Sequence, residues 1–98
     1  MAQFDVYRLV TGDVVLDIQS EAFGHLRTRV VVPLLMASNE TPPESRLTPI
    51  LQVAGVSRIM MTYLIATILA NTMRTNICSV TNDYLRIEAA LDTLIGNY

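Results

Sequence analysis

The stretch that most limits what this chain can fold into is residues 14–34, VVLDIQSEAFGHLRTRVVVPL. Two runs rich in Val and Ile, 14–18 and 29–32, flank a connector that carries Ser20, Gly24 and a few charges. Branched side chains pack well on a pleated surface, so two such runs around a polar link predict an antiparallel hairpin. Asp17 interrupts the first run. A carboxylate is costly to bury without a partner, so Asp17 is expected to face water or an arginine. Arg29 on the opposing run would make a cross-strand ion pair, worth under about 1 kcal/mol if exposed. The unbroken Val30-Val31-Val32 predicts a strand covered on both faces. Pro33 has no N–H to give to a ladder and is expected to close that strand.

Upstream, residues 3–10 set Phe4, Val6, Leu9 and Val10 against Asp5 and Arg8, the pattern of a half-buried opening strand. Thr11-Gly12-Asp13 supplies a tight reversal, because glycine tolerates positive φ. Downstream, residues 37–46 (ASNETPPESR) hold two prolines among polar side chains and predict an exposed loop. Residues 49–53 and 56–61 predict a second hairpin with Gly55 in its turn. Residues 62–76 are ambiguous. Their apolar groups suit a helix or a short buried strand equally, and 72–76 looks like a break. Residues 77–80 are expected to form a last short strand.

Residues 81–95 carry the clearest helical signal. Thr81 or Asn82 can cap the first turn, and Asp83 complements the positive end of the helix dipole. Tyr84, Ile87, Ala90, Leu91, Leu94 and Ile95 recur at three- and four-residue steps as one apolar stripe. Gly96 then stops the helix in the left-handed conformation. The fold class predicted is mainly β: a small barrel-like or twisted antiparallel sheet with a C-terminal α-helix.

With 51% hydrophobic and 16% charged residues in 98, the chain reads as a single domain, residues 1–98, with more apolar surface than it can bury alone. A homodimer is the simplest cover. The net charge is −2, and all seven basic residues are arginines scattered along the chain. Nucleic-acid binders concentrate positive charge on one face, so direct nucleic-acid binding is not expected. The lack of lysine excludes Schiff-base and P-loop lysine chemistry. One cysteine, Cys78, and no signal-peptide pattern predict a cytoplasmic protein. The longest apolar segment, 59–70, is shorter than the roughly 20 residues that span a bilayer, so no membrane partner is expected.

No reactive constellation stands out. His25 is the only histidine and reads as a solvated turn residue, Cys78 as a small core hydrophobe, and Met60, Met61 and Met73 as adaptable core filling. No metal-ligand spacing and no glycine-rich phosphate loop occur, so no catalytic residue, no metal and no cofactor are expected. The chain reads as a protein that is not an enzyme. What remains is surface. Ala22 and Phe23 place an aromatic in a polar connector, and Ile95, Gly96, Asn97 and Tyr98 place another just past a helix, where aromatics serve as anchors for a partner pocket.

Several strings taken together resemble the CcdB-type toxins of type II toxin–antitoxin modules. They are Gln3-Phe4-Asp5-Val6-Tyr7, Asp17-Ile18-Gln19-Ser20, Arg29 through Leu34, Ser45-Arg46, Pro49-Ile50, Val53 and Met60-Met61-Thr62, followed by a helix of the family's length. The resemblance implies an SH3-like barrel with a C-terminal helix, a fold shared with MazF-type toxins, and a symmetric homodimer. It implies a plasmid-maintenance toxin that poisons DNA gyrase by binding its A subunit and is held by a CcdA-like antitoxin. Family contacts with gyrase would fall on Ala22, Phe23, Ile95, Gly96, Asn97 and Tyr98, yet these residues differ from those the family carries there. Two alternatives follow: a MazF-like endoribonuclease whose arginines Arg27 or Arg29 stabilise phosphate, or a degenerate homologue that keeps only antitoxin binding.

Overall fold

In the computed structural model, which describes residues 2–97, the β-favouring runs become seven strands: β1 (Asp5–Leu9), β2 (Val14–Asp17), β3 (Thr28–Leu35), β4 (Ile50–Val53), β5 (Val56–Met60), β6 (Ala66–Leu69) and β7 (Met73–Ser79). One helix, α1 (Tyr84–Ile95), follows them. The strands form a curled half-barrel in the order β4-β5-β3-β2-β1-β7, with β6 also on β3, and every pairing is antiparallel. The predicted class, mainly β with a C-terminal helix, is the one observed. Among the described residues no helix is long and apolar enough to cross a membrane.

Both predicted tight turns form. Gly12 has φ +92° between β1 and β2. Ala54 and Gly55, at φ +51° and +84°, make a two-residue turn between β4 and β5 whose twist matches that of the flanking strands.

The spine of the sheet is β3. One of its edges pairs with β2 through Val15↔Pro33, Leu16↔Val32 and Asp17↔Val31. The other edge is shared: residues 28–31 pair with β6, while Leu34 and Leu35 pair with β5. Pro33 therefore does not close the strand. It sits at the fork between the two neighbours, its carbonyl accepts from the Met61 N–H at 3.0 Å, and its missing donor falls on that same edge, where no ladder partner waits.

Side chains alternate across the sheet with period two. One face carries Val6, Val14, Leu16, Val32, Leu34 and Met60 against Ile87 and Ala90 of α1. Burying a large apolar side chain contributes about 1.5–3 kcal/mol. The other face buries Tyr7, Val15 and Val31, with Leu9, Ile68 and Met73 packed beside them. Asp17 and Arg29 stand two residues from Val15 and Val31 and so share this second face.

Residues 62–76 resolve into a 3-10 turn (Thr62–Leu64), β6, a second turn (Ala70–Thr72) and the start of β7. From Met73 onward the predicted break at 72–76 is instead strand. β1 supplies the partner through Tyr7↔Asn76 and Arg8↔Thr75, with two register shifts that leave Ile77 and Arg74 as the extra residues of β7. The helix begins at Tyr84, after a 3-10 turn (Thr81–Asp83). Neither Thr81 nor Asn82 caps it, and the Thr81 hydroxyl bonds that of Ser79 at 2.7 Å. Gly96, at φ +81°, ends the helix as predicted. The apolar stripe is narrower than the spacing suggests: Ile87 and Ala90 are buried and Leu91 is partly so, while Tyr84 and Ile95 are exposed.

Candidate functional site

The connector between β2 and β3 is held from beneath by polar side chains. Asp17 and Arg29 are 0% and 1% exposed, so their pair is not the surface contact the sequence allows for but a fully buried one. Asp17 Oδ2 accepts from Arg29 Nε at 3.0 Å and from Nη2 at 2.6 Å. Its Oδ1 accepts from the Gln19 backbone N–H at 3.0 Å. Gln19, also buried, uses both ends of its amide: Oε1 accepts from the Val30 N–H at 3.0 Å, and Nε2 donates to the Phe23 carbonyl at 2.8 Å. Among the described residues no buried side-chain nitrogen or oxygen lacks a partner, as low-dielectric surroundings demand.

Above this base the chain makes a 3-10 turn (Glu21–Phe23). The Ser20 hydroxyl accepts from the Ala22 N–H at 3.2 Å, and the Phe23 carbonyl also accepts from the Leu26 N–H at 3.1 Å. Gly24 backs onto the turn, where a side-chain carbon would lie 3.2 Å from the Glu21 carbonyl oxygen. Phe23 is left 54% exposed. His25 and Arg27 are exposed on the same connector. Arg27 lines an open pocket of about 400 Å³ with Leu69, Ala70 and Asn71. The pocket wall is fixed by the Ala70 N–H, which donates to the Arg27 carbonyl at 2.8 Å. Among the described residues no carboxylate lies within ion-pairing distance of Arg27.

A second cavity, about 260 Å³, lies between residues 44–49 and α1 and is lined in part by Glu44, Arg46 and Arg86. Arg86 is engaged there, by Glu44 at 3.1 Å and Asp83 at 3.6 Å, while Arg46 has no carboxylate within ion-pairing distance among the described residues. An anion entering this cavity meets the Glu44 carboxylate, which repels it, whereas no carboxylate lines the Arg27 pocket. On the second face of the sheet, Asn76 donates to Asp5 at 3.1 Å and to the Tyr7 hydroxyl at 3.5 Å. Burial, and then the Asp5 carboxylate, push the Tyr7 phenol above its ordinary 10.0.

The predicted contact residues lie on separate elements. Ala22 and Phe23 sit on the connector, whereas Ile95, 73% exposed, ends α1 and Gly96 caps it. The buried side of α1, Ile87 and Ala90, packs into the main core, and the Thr62–Leu64 and Thr81–Asp83 turns lie beside the helix. The Asn97 N–H donates to the Asp92 carbonyl at 2.8 Å, and Tyr98 lies outside the described residues. Of the two arginines proposed for phosphate, Arg29 is fully committed to Asp17 and only Arg27 faces outward. Cys78 is partly buried against the main core, and Met60 and Met61 are buried in it or beside it. Gln19 and Asn71 have no role in the sequence reading. For Gln19 a signal exists, since it stands two positions after Asp17 and continues the same strand face.

The family profile described as CcdB protein matches residues 3–96. A sequence search of curated proteins returned no match. Among solved structures, the fold is similar to an endoribonuclease from mycobacterial species at TM-score 0.75 and 20% identity, covering 98% of this chain and 91% of that one. It is also similar to an endoribonuclease in complex with its cognate antitoxin from mycobacterial species, at TM-score 0.81 and 18% identity, covering 98% and 95%. At such identity the likeness shows the fold. It also corrects the expectation of a chain without enzymatic activity: that reading rested on the lack of a recognisable reactive set, and both neighbours are named as enzymes on this architecture.

Proposed function

This chain belongs to the CcdB protein family of toxins from toxin–antitoxin modules, and from that premise we propose that its toxic activity is cleavage of RNA, held in check by a CcdA-like antitoxin. The observation that carries the reading is the likeness, over 98% of the chain, to an endoribonuclease and to another bound by its antitoxin. Arg27 supports it from within the molecule. When a ribose 2′-oxygen, its proton lost to water, attacks the neighbouring phosphorus, the P–O5′ bond breaks. The 5′-oxygen leaves as a hydroxyl after taking a proton from water, so that a 2′,3′-cyclic phosphate remains. Negative charge grows on the phosphate oxygens during that exchange, and an unpaired cation at the rim of an open pocket stabilises it. A single arginine suffices for this, so the scattered charge of the chain is no obstacle. Two copies of the chain associate through exposed Tyr63, Leu64 and Ile65, which leaves the Arg27 pocket open, and the activity is exerted in the cytoplasm.

The test is a single-stranded RNA substrate with purified protein. Arg27→Ala is expected to lower kcat/KM by about a hundredfold, the scale for removing one stabiliser of developing oxyanion charge, with the thermal midpoint unchanged because the side chain is exposed. The exposed Phe23 and Ile95 favour a second reading, contact with the gyrase A subunit through Ala22, Phe23, Ile95, Gly96, Asn97 and Tyr98. Gyrase-linked DNA breaks with intact RNA would replace the first reading by the second.

A further inference from the structure

We infer that Gln19 is a positioning residue: it pins the turn at Phe23 to β3 at Val30, so that the connector presents Phe23 and Arg27 in one fixed arrangement. The connector carries exposed side chains, and connectors of this kind are ordinarily the most mobile part of a hairpin. Here it is tied near its middle. Gln19 donates to the Phe23 carbonyl at 2.8 Å and accepts from the Val30 N–H at 3.0 Å, so one amide bridges the tip of the loop and its return strand. Its own backbone N–H is fixed by Asp17 Oδ1 at 3.0 Å, and Asp17 is fixed by Arg29. A rigid path therefore runs from a buried ion pair to an exposed aromatic through a single side chain.

The Gln19 amide suits this role. It offers a donor at one end and an acceptor at the other, whereas a carboxylate offers acceptors alone and a thioether offers neither in useful strength. The consequence is preorganisation: a connector already in its binding geometry loses less conformational freedom when it meets a partner or a substrate. The inference rests on the proposed ribonuclease activity only for its substrate readout, and the connector readout stands without it.

Amide hydrogen exchange on the full chain is the direct test. In Gln19→Met, exchange at Val30 and Leu26 is expected to accelerate by about tenfold or more, the scale on which local opening responds to a lost tertiary bond. Amides of the β1–β7 ladder, such as Val6, keep their rates. Gln19→Glu is expected to split the effect: Val30 stays protected because an acceptor remains, while Leu26 accelerates because the bond to the Phe23 carbonyl is gone. If Gln19→Met fails to fold, that split decides alone. Uniform acceleration across all strands, or unchanged exchange at Leu26 in both variants, overturns the inference. On single-stranded RNA, Gln19→Met should lower kcat by about tenfold with the thermal midpoint of the β1–β7 body little changed, since a displaced Arg27 no longer meets the charge that grows in the transition state. Faster connector exchange with kcat unchanged overturns the positioning of Arg27. Wild-type protein that leaves RNA intact overturns the ribonuclease reading instead, and the exchange pattern then decides the role of Gln19.

Discussion

Two ion pairs tie loops to the body of this molecule, and they do so in opposite surroundings. Asp17–Arg29 anchors the 18–27 connector with both side chains out of water. Glu44–Arg86 ties the proline-containing loop to α1 with 52% and 47% of those side chains still exposed. The chemistry is the same, a guanidinium on a carboxylate. What differs is what each group would do alone. Unpaired, Glu44 and Arg86 would each be hydrated at once; unpaired, Asp17 or Arg29 would remain as a bare charge between β2, β3 and the connector. A buried pair therefore acts less as a source of stability than as a constraint, since it holds its surroundings in the one arrangement that satisfies both charges.

The strongest way to break the comparison is Asp17→Ala, which strands Arg29 and is expected to lower unfolding free energy by about 3–5 kcal/mol; a urea midpoint that hardly moves would remove the distinction between the two pairs. Replacing both partners, as in Asp17→Leu with Arg29→Met, should restore most of that loss, because no charge is left behind. The double variant would still lack the acceptor for the Gln19 N–H, so connector exchange should stay fast while stability returns. Glu44→Gln keeps an acceptor for the Ile50 N–H, which bonds Glu44 at 3.0 Å, and removes only the charge. The expected change is under about 1 kcal/mol, shrinking further in high salt. The smallest effect is set by pH. The Tyr7 phenol is raised in the folded state by burial and then by Asp5, so the fold favours its protonated form. That contribution is complete below the ordinary value of 10.0 and disappears as pH rises through the higher folded value. Denaturation followed across this alkaline range should show the decline in wild type and not in Tyr7→Phe.

Much of the fold was readable because local chemistry dictated it. Gly12 and Gly55 mark turns that need positive φ, Gly96 marks the helix end, and the Val-rich runs mark β2 and β3. What was not readable came from partners distant in the chain. Residues 72–76 looked like a break because Arg74 and Asn76 interrupt the apolar residues and Asn is depleted in strands, and the pairing of Tyr7 with Asn76 leaves no local trace. Pro33 looked like a stop because a fork in the sheet cannot be read from one strand. At the candidate site the Asp17–Arg29 pair could be named from register, but its burial could not, since the connector that covers it is polar. Arg27 and Arg29 stand two positions apart, so alternation alone would place them on one face. What separates them is the strand start at Thr28, which leaves Arg27 in the connector and sends Arg29 beneath it.

The pairing of β1 with β7 joins the first strand to the last, and the Asn76–Asp5 bond spans 71 positions. Contacts of such separation form slowly, because the intervening chain must first be gathered. On a ribosome adding about 5–20 residues per second, β1 can pair early with β2, but its other edge stays open until residue 79 has emerged. The nascent polypeptide thus keeps an adhesive strand edge uncovered until β7 emerges, and the seam between β1 and β7 closes late in its folding.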